Sequence, residues 1–199
     1  MYEVTIGGRR VAIYESEGLF SPSHADKGTL AMLSHVTPEP GQRVLDLGCG
    51  CGLVGIYAAM ICGEENAFLC DVDPEAVRCA RLNAQKNGLN LTVYESDGLE
   101  GVKESGFDLI LSNPPYQSDF AVARRFIEKG FNRLRLGGRM YMVTKRRAWY
   151  ENKLRSVFGG VRVYETDGYF VFEAERRSFE YACAGHRKRK NQSRGKENP

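Results

Sequence analysis

Long apolar runs are missing from this 199-residue chain. Nowhere do about twenty consecutive apolar residues occur, the length a bilayer span requires, and the N-terminal MYEVTIGGRR has neither the charged start nor the apolar core of a signal peptide. No membrane partner is expected, and a cytoplasmic location is. Histidine is scarce: His24, His35 and His186 have no evident partners, so packing, capping or tail positions are expected of them. The six cysteines (Cys49, Cys51, Cys62, Cys70, Cys79, Cys183) lack metal-site spacing. Cys49-x-Cys51 is too tight for a zinc knuckle and no second cysteine or histidine pair follows it, so no metal is expected. In a reducing compartment these thiols read as small buried hydrophobes, not disulfides. Apart from the C-terminal tail there is no repeat or low-complexity segment. The 42% hydrophobic content suffices for one core. One domain is expected over residues 1–180, followed by a basic, disordered tail at 181–199.

Acidic residues are also unevenly supplied. From Ile61 to Asp119 there are eleven acidic residues against four basic, whereas Phe120 to Gly160 holds eleven basic against two acidic. The tail adds Arg187, Lys188, Arg189, Lys190, Arg194 and Lys196 against Glu197 alone. A charge run often serves only as a solvated face, but the cations after residue 120 are interleaved with aromatics. A polyanionic partner, RNA, is the expectation.

Sheet-like pieces at Val4–Ile6 and Val11–Ser16 precede a helix over Asp26–Val36. Strands are then expected at Arg43–Leu47, Ala67–Asp71, Leu91–Glu95, Phe107–Ser112 and Arg139–Val143. Helices fall at Gly52–Cys62, Pro74–Asn87, Asp119–Leu134 and Ala148–Phe158. This alternation is the pattern of an α/β, doubly wound, mostly parallel sheet. Val161–Glu165 and Tyr169–Glu173 flank Thr166-Asp167-Gly168, which signals an antiparallel C-terminal hairpin.

In such a sheet, ligands lie beyond the carboxyl ends of the strands, so the loops there carry the chemistry. Gly48, Gly50 and Gly52 follow the first parallel strand and allow a ligand to lie against backbone at a helix start. Glycines in this pattern also occur in nicotinamide and flavin enzymes and in ordinary turns. Asp46 before them alters the balance: a carboxylate there suits an ammonium group and sits badly beside a pyrophosphate. Asp71 ends the next strand, where both ribose hydroxyls could be bound; Asp73 competes, but before Pro74 it also makes a helix cap. Asp97-Gly98 could meet an adenine amine, or form only a turn.

The most specific run is Asn113-Pro114-Pro115-Tyr116, directly after the apolar FDLILS. The Asn113 side-chain oxygen and the Pro114 carbonyl are two acceptors for the N–H bonds of a planar amine, and proline's fixed φ stiffens the frame. Such a cradle turns a nitrogen lone pair toward an electrophile without a strong base. Tyr116 offers a flat face for stacking a base or amide. Glycine turn and amine cradle together imply methyl transfer to nitrogen.

At this point the chain resembles the class I S-adenosylmethionine-dependent methyltransferases, with a Rossmann-like fold. Within them it is similar to the methyltransferase small domain family of ribosomal RNA guanine-N2 methyltransferases. The resemblance covers roughly residues 15 to 176 and rests on GLFSPSHADKGTLAML, LDLGCGCG, CDVDPEAV, SDGLE, DLILSNPPY and the run from LGGRMYMVTKRRAWY to the final hairpin. It implies S-adenosyl-L-methionine as cofactor, with Asp46, Gly48, Gly50 and Gly52 at its methionine end, Asp71 at the ribose, Asp97 at the adenine, and Val72 and Gly98 also among the cofactor-binding residues. Asn113, Pro114, Pro115 and Tyr116 would hold a guanine amine of ribosomal RNA presented unpaired or flipped, with Arg124, Arg125, Lys145, Arg146 and Arg147 on its phosphates, joined by Arg133 and Arg135. Two departures stand out. Gln117-Ser118 replaces a histidine found in many relatives, and the duplicated N-terminal half of larger members has no counterpart. A protein-glutamine methyltransferase, an adenine-N6 methyltransferase and a non-catalytic RNA-binding module are the alternatives.

Overall fold

The computed structural model describes residues 1–14, 25–114 and 120–182. Residues 2 to 13 form an antiparallel hairpin of β1 (Tyr2–Ile6) and β2 (Arg9–Ile13), closed by Gly7-Gly8. Both glycines have positive φ, the conformation that a two-residue turn with strand-matching twist demands. This hairpin is a separate two-stranded sheet, anchored by side chains of a later helix as described below.

After α1 (Lys27–Leu33), capped by the Asp26 side chain, the alternation proceeds through β3 (Val44–Leu47), α2 (Leu53–Cys62), β4 (Ala67–Asp71), α3 (Pro74–Lys86), β5 (Thr92–Glu95), β6 (Phe107–Ser112), α4 (Phe120–Arg133), β7 (Leu134–Thr144), α5 (Arg147–Phe158), β8 (Arg162–Thr166) and β9 (Tyr169–Glu175). Seven strands lie in the order β5-β4-β3-β6-β7-β9-β8. The first five of these run parallel, while β9 is antiparallel to both neighbours. The doubly wound reading and the final hairpin are therefore observed. Asp167 and Gly168 close that hairpin with φ of 51° and 76°.

Why the helices divide between two faces is visible in the strands. Successive side chains of a strand point to opposite faces. Val44, Leu109, Leu111 and Val143 meet α1, α2 and α3, whereas Leu45, Leu47, Ile110, Met140 and Met142 meet α4 and α5. Both faces being covered, β3 and β6 carry the near-continuous apolar runs of a buried parallel sheet. Truncating a fully buried residue such as Ile110 to alanine would cost about 2–5 kcal/mol.

The clearest departure from the expected elements is β7. The expected strand begins at Arg139, but the chain passes from α4 directly into a strand at Leu134. Pairing with β6 is interrupted between Phe107 and Leu109, so Arg135 to Gly138 form a bulge. Gly138 is required there, since a Cβ would sit 2.6 Å from the Phe107 carbonyl. Backbone bonds between Gly137 N–H and Arg176 O (2.8 Å) and Arg176 N–H and Gly138 O (2.9 Å) then keep the irregular stretch in the sheet.

Candidate active site

The strand order reverses at β3, with the chain passing first to β4 and β5 on one side and then to β6 and β7 on the other. The crevice left outside the carboxyl ends of β3 and β6 is where a ligand fits such a sheet. A cleft of about 500 Å³ opens there, lined by Asp46, Gly48, Gly50, Asp71, Val72, Asp97, Gly98, Asn113 and Pro114 among others. It gathers candidates spread along the sequence from Asp46 to Pro114 into one space. The Ser112 hydroxyl donates to the Leu47 carbonyl at 2.8 Å and ties the two strand ends together.

Asp46 is 3% exposed, and its Oδ2 accepts the Gly55 N–H in the first turn of α2 at 2.9 Å. Burial raises its pKa to about 7, against the lowering effect of that hydrogen bond, and the nearby Asp71 charge adds to the rise. A buried carboxylate in this state favours a cationic neighbour. Asp71 is held by backbone: Gly50 N–H donates to Oδ2 at 2.8 Å and Asp73 N–H to Oδ1 at 3.1 Å. Each oxygen keeps a second lone pair for a hydroxyl. Asp73 serves as the α3 cap, accepting the Glu75 N–H at 2.9 Å. Val72 stands 63% exposed between them at the cleft wall, an apolar side chain with room for a planar ring.

The floor on the far side is Phe126 of α4, which the spacing of motifs does not reveal. Its ring lies against two glycines: a Cβ on Gly98, whose φ is +62°, would be 3.2 Å from Cε1, and one on Gly48 3.6 Å from Cε2. At Gly98 a side chain would thus meet both strain and a buried ring. Asp97 is paired bidentately with Arg125, at 2.7 and 3.1 Å, so these two residues, expected to face adenine and phosphate respectively, share one contact. Both are about half exposed, so the pair is worth at most about 1 kcal/mol.

Asn113 sits at the end of β6. Its Nδ2 donates to Asp26 Oδ2 at 2.8 Å and to Thr29 Oγ1 at 3.0 Å. Its Oδ1 is buried with no hydrogen-bond partner among the described residues. Buried polar atoms almost always have partners, so an orphan acceptor on a residue that lines the cleft marks a place for a donor from outside the chain. Pro114 follows it into the cleft lining. Pro115 and Tyr116 lie outside the described residues, as do Gln117-Ser118, His24, His186, Cys183 and the tail from 183.

Carboxylates of three strand ends, a backbone cradle at a helix start and an orphaned carboxamide oxygen suit a cationic, hydroxyl-bearing cofactor beside an amine. They do not suit a pyrophosphate. The profile of the methyltransferase small domain matches residues 10–173. The chain belongs to this family. Curated relatives include ribosomal RNA small subunit methyltransferase C of Hahella chejuensis, 32% identical over 82% of this chain and 49% of that protein. The Pseudomonas putida protein of the same name is 30% identical over 88% of this chain and 54% of its own length. Among solved structures, the Thermus thermophilus 16S rRNA N2 G1207 methyltransferase in complex with AdoMet and guanosine superposes with a TM-score of 0.80 at 28% identity, covering 88% of this chain and 50% of that one. This methyltransferase small domain chain spans about half the length of the curated relatives it matches.

The cationic half of this family member divides into used and exposed charge. Arg133 donates to the Glu104 and Leu99 carbonyls, and Arg135 pairs with Asp108, so both stitch loops together. Arg124 is exposed, with no such partner among the described residues. Lys145, Arg146 and Arg147 follow β7, one strand over from Asn113, and lie over the rings of Tyr169, Phe120 and Phe170 at 4.9, 5.2 and 5.6 Å. Trp149 stacks on Phe120 at 4.4 Å, which ties it to this cation-bearing surface. Arg147 is also paired with Glu151.

Elsewhere the structure gives packing roles. His35 stacks on Tyr164 and contacts the Thr166 hydroxyl. The five described cysteines are free, burial raises the pKa of Cys49, Cys51, Cys62 and Cys70, and the described residues hold no metal cluster. No helix among the described residues is long and apolar enough to cross a membrane.

Residues that motif spacing missed are Asp26, Thr29, Tyr2, Val122, Phe126 and the fully buried Asn83. Asn83 accepts the Tyr14 N–H at 2.8 Å and donates to the Tyr14 carbonyl (3.0 Å) and to the Cys51 carbonyl of the glycine turn (2.9 Å). Four residues on, at the C-cap of α3, Asn87 makes the matching pair with Ala12, at 3.0 and 2.8 Å. Two asparagines four apart were the available signal, but a helix surface commonly carries them.

Proposed function

We propose that this protein is a cytoplasmic S-adenosylmethionine-dependent N-methyltransferase that modifies the exocyclic amine, N2, of a guanine in ribosomal RNA. The observation that carries this reading is the buried, unpartnered Oδ1 of Asn113 beside Pro114 in the cleft. Support comes from the family and from the activities named for its relatives.

S-adenosylmethionine, when bound, supplies an electrophilic methyl group on sulfonium. Asp46 and the Gly48–Gly52 turn would hold its ammonium and carboxylate end, Asp71 its ribose, and Val72, Asp97, Gly98 and Phe126 its adenine. Asn113 Oδ1 and the Pro114 carbonyl accept the two N–H bonds of the target amine and aim its lone pair. Those bonds strengthen as nitrogen gains positive charge, and the surplus proton is acidic enough by then to leave to water. Tyr116 is assigned the stacking face, with Pro115 stiffening the cradle. Arg124, Lys145, Arg146 and Arg147 hold phosphates, and Arg125 joins them only by leaving Asp97.

The test is transfer of labelled methyl from S-adenosylmethionine into total RNA and, separately, protein from a strain lacking this gene, followed by nucleoside analysis. Label recovered as N2-methylguanosine is expected. Label in N6-methyladenosine would reassign the base, label in protein alone would move the activity to glutamine, and no label in either would leave an RNA-binding module.

A further inference from the structure

A carboxamide has two ends, and only one serves an amine. The oxygen accepts and the NH2 donates, yet a half-turn about the terminal bond exchanges them with almost no change of shape. In the half-turned state Asn113 would present hydrogens to the hydrogens of its substrate. Something must hold the productive state, and motif spacing does not supply it.

The partners of Nδ2 do. Asp26 Oδ2 accepts from it at 2.8 Å and Thr29 Oγ1 at 3.0 Å, from 87 and 84 residues earlier in the chain. An ionised carboxylate only accepts, so a turned amide would set oxygen against oxygen. Asp26 is in turn fixed, because the same Oδ2 accepts the Thr29 N–H at 2.8 Å as the cap of α1. Both residues line the cleft.

We infer that Asp26, seconded by Thr29, is a positioning residue that locks the Asn113 carboxamide with its oxygen facing the target amine. This rests on the N-methyl transfer reading above. Asp26 does not touch the reacting nitrogen but acts through Asn113. The lock also has an electronic effect: a hydrogen bond from Nδ2 to a carboxylate draws the amide toward its charge-separated form and leaves Oδ1 the stronger acceptor. That gain is largest when the nitrogen outside is becoming positive.

Two variants separate the lock from the helix cap. Asp26→Ser keeps a good cap but lacks the reach to Asn113, whereas Asp26→Asn keeps both the cap and an oxygen in the same place. Asp26→Ser should lower kcat about tenfold or more, and Asp26→Asn should stay within about threefold of wild type, with S-adenosylmethionine affinity unchanged in both. Full activity in Asp26→Ser, equal losses in the two variants, or loss of cofactor affinity in step with kcat would each overturn the assignment. The side-chain amide protons of 15N-labelled Asn113 provide a readout without turnover. Their exchange with solvent should be slow in wild type and faster by about tenfold or more in Asp26→Ser, and equal rates would overturn the lock. If wild type transfers no methyl group at all, the proposed function fails while this measurement still decides the lock.

Discussion

The two sides of the cleft are built by opposite means. On the β3–β4–β5 side, recognition is enclosed: Asp46 and Asp71 are fixed by backbone N–H groups, and Phe126 closes the floor beneath Gly48 and Gly98. On the β6–β7 side it is open, with Lys145, Arg146 and Arg147 exposed over aromatic rings. Asn113 stands at the seam, half-buried, its Nδ2 hydrogen-bonded and its buried Oδ1 without a partner among the described residues. On the function proposed above, the difference teaches that a small ligand is specified by groups fixed in place, the buried Asp46 and the backbone-held Asp71 first among them. A large polyanion is gathered by many weak, screened contacts.

Variants across the seam should fall in order of that contrast. Asn113→Ala should lower kcat about a hundredfold or more while leaving the affinity for S-adenosylmethionine unchanged; matched losses in both would place Asn113 on the cofactor side. Asp46→Asn should weaken cofactor binding at least about thirtyfold in calorimetric titration, since a buried charge partner is removed. Its pH dependence follows from burial, which lifts the Asp46 pKa to about 7. Between its unfolded value and 7 the native state binds a proton that the unfolded chain does not. The Asp46 contribution to stability is therefore fully present below the unfolded value and lost as pH rises through about 7. Thermal melts of the ligand-free protein should show Asp46→Asn gaining on wild type from pH 5 to 8, and wild-type cofactor affinity should climb over the same interval as Asp46 ionises. Melting curves that stay parallel would contradict the burial argument.

Smaller effects belong to the open side. Replacing Lys145, Arg146 and Arg147 together by alanine should cost about tenfold in RNA affinity and reduce the salt slope by about 2, without altering cofactor binding. An unchanged slope would put the RNA elsewhere. Arg125→Ala probes the seam itself. Because its charge is engaged by Asp97, the expected change is a few-fold in cofactor affinity at most, with the salt slope intact; a slope reduced by about 1 would make it a phosphate contact.

How far the sequence carried depends on the range of the interactions. The layered fold was legible because a buried parallel sheet writes apolar runs and helical spacing in turn, and each expected strand and helix lies within a few residues of one observed. The start of β7 was not, since Arg135-Leu136-Gly137-Gly138 has the composition of a loop and is held in the sheet by Arg176, about forty residues later. Asp46, the glycine turn, Asp71 and Asn113 were legible as strand-end residues whose place follows from topology. Asp26 was legible only as a helix start, because the cap it makes locally hides the contact it makes 87 residues away. The pairing of Asp97 with Arg125 is likewise a tertiary fact that neither local motif contains.

The asparagine clamp on the N-terminal hairpin imposes an order on folding. Residues 2–13 are made before α3 and can close their own glycine turn, but their anchors, Asn83 and Asn87, lie 69 to 75 residues downstream. Until α3 has been synthesised and docked, the hairpin is a two-stranded ribbon with no lasting stability of its own. The glycine turn, through Cys51, shares the Asn83 that receives this ribbon. Fixing of the glycine turn and capture of the hairpin thus both wait on the same helix, α3.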